Sequence, residues 1–99
     1  MATKIQSIHF DADVKLVNFI EERVKKLTKF FDNITGSEVI LKIDKSETGE
    51  NKIAEVKVFI PGNELFAKKQ CKTFEEATDL AVDALKNQLV KHKEKLRGV

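Results

Sequence analysis

Residues 52–69, KIAEVKVFIPGNELFAKK, decide how this chain folds. Two runs of alternating apolar and polar residues flank Pro61-Gly62-Asn63, which carries turn chemistry: proline fixes φ, and glycine and asparagine tolerate the left-handed region. The stretch reads as a β-hairpin. With Gly62-Asn63 as a two-residue loop, Ile60 lies opposite Leu65, Phe59 opposite Phe66, Val58 opposite Ala67 and Lys57 opposite Lys68.

Upstream, SEVILKIDK (37–45) alternates with period two. Val39, Leu41 and Ile43 share one face, and Ile40, Lys42 and Asp44 the other. SETGEN (46–51) is a polar turn centred on Gly49. Earlier still, VKLVNFIEERVKKLTKFF (14–31) places Val17, Ile20, Val24, Leu27 and Phe31 at steps of three and four, one buried helical stripe that Leu16 and Phe30 widen. Asp13 is its N-cap, and Asn33 and Gly36 end it. Residues 3–10 form a first strand around Ile5 and Ile8. Downstream, TFEE (73–76) reads as a capping box, the Thr73 hydroxyl taking an amide three residues on while Glu76 reaches back. The helix it opens runs to about Leu96, with Phe74, Ala77, Ala81, Leu85, Leu89 and Leu96 inward.

The element order is β-α-β-β-β-α. Two amphipathic helices cover one face of a four-stranded sheet, so the expected fold is an α+β two-layer sandwich, similar in plan to double-stranded-RNA-binding domains. The first strand, helix and second strand form a right-handed crossover, and the other strands are antiparallel. The second sheet face is left to solvent or a partner. At 99 residues, 41% of them hydrophobic, the chain is expected to be one domain, 1–99, with a sizeable core.

Charged residues make up 34% of the chain, yet the net charge is only +2, so distribution says more than totals. From Lys86 to Arg97 five Lys/Arg stand against the single acid Glu94, whereas Glu75, Glu76, Asp79 and Asp83 precede them with no basic residue. At about 100° per residue, Lys86, Lys93 and Arg97 share one flank of the last helix, Lys91 and Lys95 stack on its outer side, and His92 falls in the sector of Leu85 and Leu89. In the first helix Arg23 and Lys26 flank the apolar stripe, with Lys25 and Lys29 further out. Side by side, the helices would present one basic field. Two accounts stay open: cations complementing carbonyl-rich helix ends, or a surface for the phosphates of nucleic acid. Phe59 and Phe66, beside Lys57 and Lys68 on the open sheet face, likewise read either as a stacking platform for RNA bases or as a stabilising cross-strand pair or dimer contact.

Other classes find little support. The lone Cys71 cannot form an internal disulfide and argues for a reducing compartment. MATKIQSIHF lacks the apolar core of a signal peptide, and no apolar run approaches the ~20 residues that span a bilayer, so the expectation is a cytoplasmic protein with no membrane partner. His9, His92 and Cys71 lack metal-ligand spacing, the glycines are isolated, and no nucleophile has a plausible base and orienting acid. No catalytic residue, metal, cofactor or small-molecule substrate is expected, and the chain does not read as an enzyme.

DLAVDALKNQLVKHKEKL (79–96) resembles the last helix of the ribosome hibernation-promoting factor family, which includes the ribosome-associated inhibitors and reads D-x-A-x-D-K-L-x-x-Q-L-x-K-x-K-x-K-L. Asp79, Ala81, Asp83, Leu85, Gln88, Leu89, Lys91, Lys93, Lys95 and Leu96 match. KKLTKFFDNI (25–34) is similar to the family's end of helix one, and VILKIDK (39–45) to its second strand. Ala84 departs from the family's lysine, Cys71 from a common glycine, Thr73 from Asp and Glu75 from a frequent Tyr.

The resemblance implies a short-form, non-enzymatic factor that binds the small ribosomal subunit and its ribosomal RNA between head and body. There it would occupy the messenger and transfer RNA channel, silence translation in stress or stationary phase, and influence the pairing of ribosomes. Arg23 and Lys26 of helix one, and Lys86 (not a fixed family position), Lys91, Lys93 and Lys95 of helix two, are the RNA-binding residues this implies; His92, read from its place on the helix flank, touches RNA or the core edge beside them. Phe59 and Phe66 are a possible secondary face. A generic module for duplex or single-stranded RNA is the alternative.

Overall fold

The computed structural model describes residues 2–8, 10–45 and 49–96, with Ala2, Lys95 and Leu96 given by their backbone. Its elements are β1 (Ala2–Ser7), α1 (Val14–Phe30), β2 (Gly36–Ile43), β3 (Lys52–Ile60), β4 (Asn63–Cys71) and α2 (Phe74–Leu96). The sheet order is β1-β2-β3-β4; β1 and β2 are parallel, and the other neighbours antiparallel. This is the expected α+β sandwich. The inward side chain expected of Leu96, the cations of Lys95 and Arg97, His9, and residues 46–48 of the polar turn lie outside what is described.

The topology fixes how the helices run. β1, β2 and β4 point one way and β3 the other. A helix linking two parallel strands runs against both, so α1 opposes β1 and β2. Helix α2, folding back from β4 over β3 and β4, opposes β4. The two helices are therefore parallel neighbours. Contacts between them agree, since Arg23 meets Asp79 and, seven residues on, Phe30 meets Lys86.

Local chemistry sets the ends of these elements. The Asp13 carboxylate accepts the Leu16 amide at 2.8 Å, and the Thr73 hydroxyl accepts that of Glu76 at 3.1 Å, each satisfying a free amide of a first helical turn. Helix α1 ends earlier than Asn33 and Gly36 would place it. Phe31 is already extended (φ −135°, ψ 91°) while its amide still donates to the Leu27 carbonyl, and Gly36 opens β2. Phe31 is buried as its place in the stripe requires, whereas Phe30, expected to widen that stripe, is 63% exposed.

The core lies between the helices and one sheet face. Ile20, Val24 and Leu27 of α1, and Phe74, Ala77, Ala81, Leu85 and Leu89 of α2, pack on Val39, Leu41, Val56, Val58, Ile60 and Ala67. Each large side chain so buried contributes ~1.5–3 kcal/mol. Phe10 stacks on Phe74 with centroids 5.0 Å apart, covering the start of α2.

The hairpin register differs from the expected one. The loop is Pro61-Gly62, with Gly62 at φ +77°, so Phe59 pairs with Glu64, Val58 with Leu65, Lys57 with Phe66 and Glu55 with Lys68. Proline explains the difference. A Gly62-Asn63 loop would put Pro61 in the ladder position next to the turn, where an N–H is needed and proline has none. As the first central residue of a turn its fixed φ is suitable, and Gly62 follows with the positive φ that a type II turn requires. The shift is two residues, so every side chain keeps its face. Phe59 and Phe66 do share the open face, but as diagonal neighbours rather than a facing pair, and Lys57 and Lys68 no longer face each other.

Candidate nucleic-acid interface

Each helix carries most of its acids first and most of its cations later. From Arg23 to Phe31 the first helix carries Arg23, Lys25, Lys26 and Lys29 and no acid; from Lys86 onward the second carries Lys86, Lys91, Lys93 and Lys95 against Glu94 alone. The acids Glu21, Glu22, Glu75, Glu76, Asp79 and Asp83 all fall in the preceding turns. The register sets the cationic half of α1 beside Asp79 and Asp83, and the cationic half of α2 begins at Lys86, where α1 ends, and continues beyond it.

A trough follows the seam between them. Its first part, about 330 Å³, is floored by Leu27 and Val82 and walled by Arg23, Lys26 and Phe30 on α1 and by Asp79, Asp83 and Lys86 on α2. A second groove of about 320 Å³ shares Phe30 and Lys86 and continues past Val90 to Lys93 and Glu94. A third, about 150 Å³, lies under Lys93, where His92 and Leu89 meet Phe31, Asp32 and Asn33.

The sequence-predicted residues divide within this frame. Lys26 and Lys86 face each other across the first groove, and Lys93 and His92 line the lower seam. Among the described residues no carboxylate lies within ion-pair distance of Lys26, Lys86, Lys91 or Lys93. Arg23 is engaged: its Nε bonds Asp79 Oδ1 at 3.0 Å, and its guanidinium lies over the Phe19 ring at 4.7 Å. Lys91 is exposed but lines none of these grooves, and its helical position is on the flank away from α1. The Lys95 side chain is outside the described set. Two participants escaped the sequence reading, Asp79 as the partner of Arg23 and Phe30 as an exposed ring beneath the Lys86 ammonium, 4.8 Å from its centroid. A signal for Phe30 existed, since it stands seven residues from Arg23 and four from Lys26, on their flank.

The open sheet face has a different character. Lys4, Glu38 and Lys57 alternate in sign across β1, β2 and β3, and Lys68 sits opposite Glu55. Lys42 bonds Glu55 at 2.8 Å, and Lys57 reaches Glu64 at 4.0 Å. Opposite charges on neighbouring strands support the sheet itself, and a polyanion would meet no field of one sign there. Among the described residues no cluster of His, Cys, Asp and Glu is arranged to hold a metal ion, and no helix is long and apolar enough to cross a membrane.

The sequence and the fold have relatives. A family model described as Sigma 54 modulation protein / S30EA ribosomal protein matches residues 3–97. The ribosome hibernation promoting factor of Azotobacter vinelandii is 34% identical over 96% of this chain and 85% of its own length. That of Pseudomonas putida is 32% identical over 100% and 93%. Among solved structures, a ribosomal subunit interface protein from Coxiella burnetii superposes with a TM-score of 0.85 at 23% identity, covering 95% of this chain and 99% of its own. The N-terminal domain of Thermus thermophilus Protein Y gives 0.76 at 21%, covering 90% and 94%; both likenesses concern the fold. Matched along nearly its whole length by model and relatives alike, the chain belongs to the S30EA ribosomal protein family, that of the ribosome hibernation promoting factors.

Proposed function

We propose that this protein binds the small ribosomal subunit, lays the seam between its helices on ribosomal RNA within the messenger and transfer RNA channel, and so silences translation during stress or stationary phase. Relatives named ribosome hibernation promoting factor support the ribosome as partner. The observation that carries the reading is the seam trough, where Lys26, Lys86 and Lys93 have no carboxylate within ion-pair distance among the described residues, although Asp79, Asp83 and Glu94 share its walls. Cations so placed can take phosphates, and each phosphate bound releases condensed counterions. Lys91 and His92 extend the contact to the outer flank and the lower seam. The family is one of binding proteins rather than enzymes, and no step of covalent chemistry is involved.

Cosedimentation with purified small subunits across a salt series tests this. Three seam lysines on phosphates give a slope of log affinity against log salt of about −2 or steeper. Retention indifferent to salt would refute the reading, and so would equal affinity for free RNA of arbitrary sequence.

A further inference from the structure

Phe30 ends α1 with its ring 63% exposed, although the next residue, Phe31, is buried. Its ring carries the Lys86 ammonium at 4.8 Å, and both residues line each of two adjoining grooves of about 330 and 320 Å³. Lys26 stands in the first groove; Lys93 and the exposed Val90 stand in the second. Asp79 and Asp83 in the first and Glu94 in the second disfavour phosphate beside them, and Lys86 is the cation common to both grooves and the one in contact with the ring.

The ring face that attracts an ammonium through its quadrupole also stacks a nucleobase. We infer that Phe30 and Lys86 form a subsite for one unpaired ribonucleotide. Its base lies on the Phe30 ring, Lys86 moves from the ring to that nucleotide's phosphate, and Lys26 or Lys93 takes the neighbouring phosphate. This rests on the RNA-binding reading above and sharpens it. An A-form helix keeps its bases stacked inside, so a ring at the seam selects a nucleotide that has left the stack.

The chain contains no Trp or Tyr, so Phe30→Trp makes position 30 the sole indole of the full-length protein. Its emission is followed on adding small ribosomal subunits, oligouridylate, or inorganic polyphosphate of matched charge. Subunits and oligouridylate are expected to quench it and polyphosphate to leave it unchanged. Phe30→Ala is expected to weaken subunit binding about tenfold, within the range for one stacked base, and being a change at an exposed position it leaves the melting curve in place. Retained cosedimentation with unquenched emission overturns the inference alone, as does equal quenching by polyphosphate or unaltered binding by Phe30→Ala. Absence of cosedimentation by the wild-type protein overturns the RNA reading and this inference together.

Discussion

Replacing Asp79 with Asn separates two roles for Arg23. In one, the 3.0 Å ion pair withholds the guanidinium from RNA; in the other, Asp79 aims it there. Both side chains are well exposed, so the pair contributes only ~0–1 kcal/mol, and the variant should melt no more than about 4–8 °C lower. The effect on binding is larger in kind. Asp79 lines the same groove as Lys26 and Lys86, so removing its charge removes a repulsion. Against a phosphate roughly 7 Å away in a medium of water-like dielectric, that repulsion is about 0.6 kcal/mol, or about threefold in affinity. If the released Arg23 then takes a phosphate, the salt slope steepens by a further ~0.7–0.9. The assay is cosedimentation of Asp79→Asn and wild type with small subunits over a salt series. Weaker binding or a flatter slope for Asp79→Asn would refute the reasoning, because it would show Asp79 presenting Arg23 to RNA.

Thr78 is fully buried on α2 and its hydroxyl has no partner among the described residues, so Thr78→Val should stabilise by ~1 kcal/mol; an unchanged melting temperature would mean the hydroxyl is bonded after all. Gly62→Ala meets no atom within 4 Å but forces a Cβ onto φ +77°, and should lower the urea midpoint by the equivalent of ~1–2 kcal/mol with the same m-value. Burial, then Glu76 and Glu50, push the Cys71 thiol pKa up against a smaller opposing effect of Lys69. The folded protein should therefore react with a thiol reagent far more slowly than the urea-unfolded chain. The unfolded chain releases this proton first, so Cys71's contribution to stability is intact below the ordinary thiol range and is lost as pH rises through the higher folded value; a urea titration across that range reads the fall.

The helices and the faces of the strands were legible because burial imposes a period. Ile20, Val24 and Leu27 at steps of three and four, and Val39 and Leu41 at steps of two, admit one packing each. Asp13 and Thr73 were legible as caps because their side chains act within three residues of themselves. The hairpin register was not, because two turns compete for Pro61-Gly62-Asn63 and both preserve the apolar faces. The missing N–H of Pro61 decides between them. Phe30 differs for another reason. Phe31 holds the stripe position and is buried as expected, whereas Phe30 lies about 100° round the helix, where apolar character alone suggests burial. Pairing of Arg23 with Asp79 depends on how two helices 56 positions apart are aligned, which only the topology determines.

Helix-end complementation and RNA binding make different demands on these lysines, and position along the helix distinguishes them. The two helices end about three turns apart, α1 at Phe30 beside Lys86 and α2 at Leu96, and cations at either end contribute ~0.3–1 kcal/mol each, an effect confined to the final turn. Lys29 and Lys93 fall in or next to that turn, and helix-end electrostatics accounts for them whether or not RNA is present. Lys86 stands roughly three turns before the end of its own helix, yet its ammonium lies over Phe30, the last residue of α1, so the end of the neighbouring helix accounts for part of its placement. Lys26 is a full turn back from Phe30 and faces Lys86 across the same groove. Both share that groove with Asp79 and Asp83, neither of which comes within ion-pair distance of them among the described residues. The effect of the end of α1 reaches Lys86 but falls off before Lys26, so Lys26 is the seam cation for which an external anion matters most.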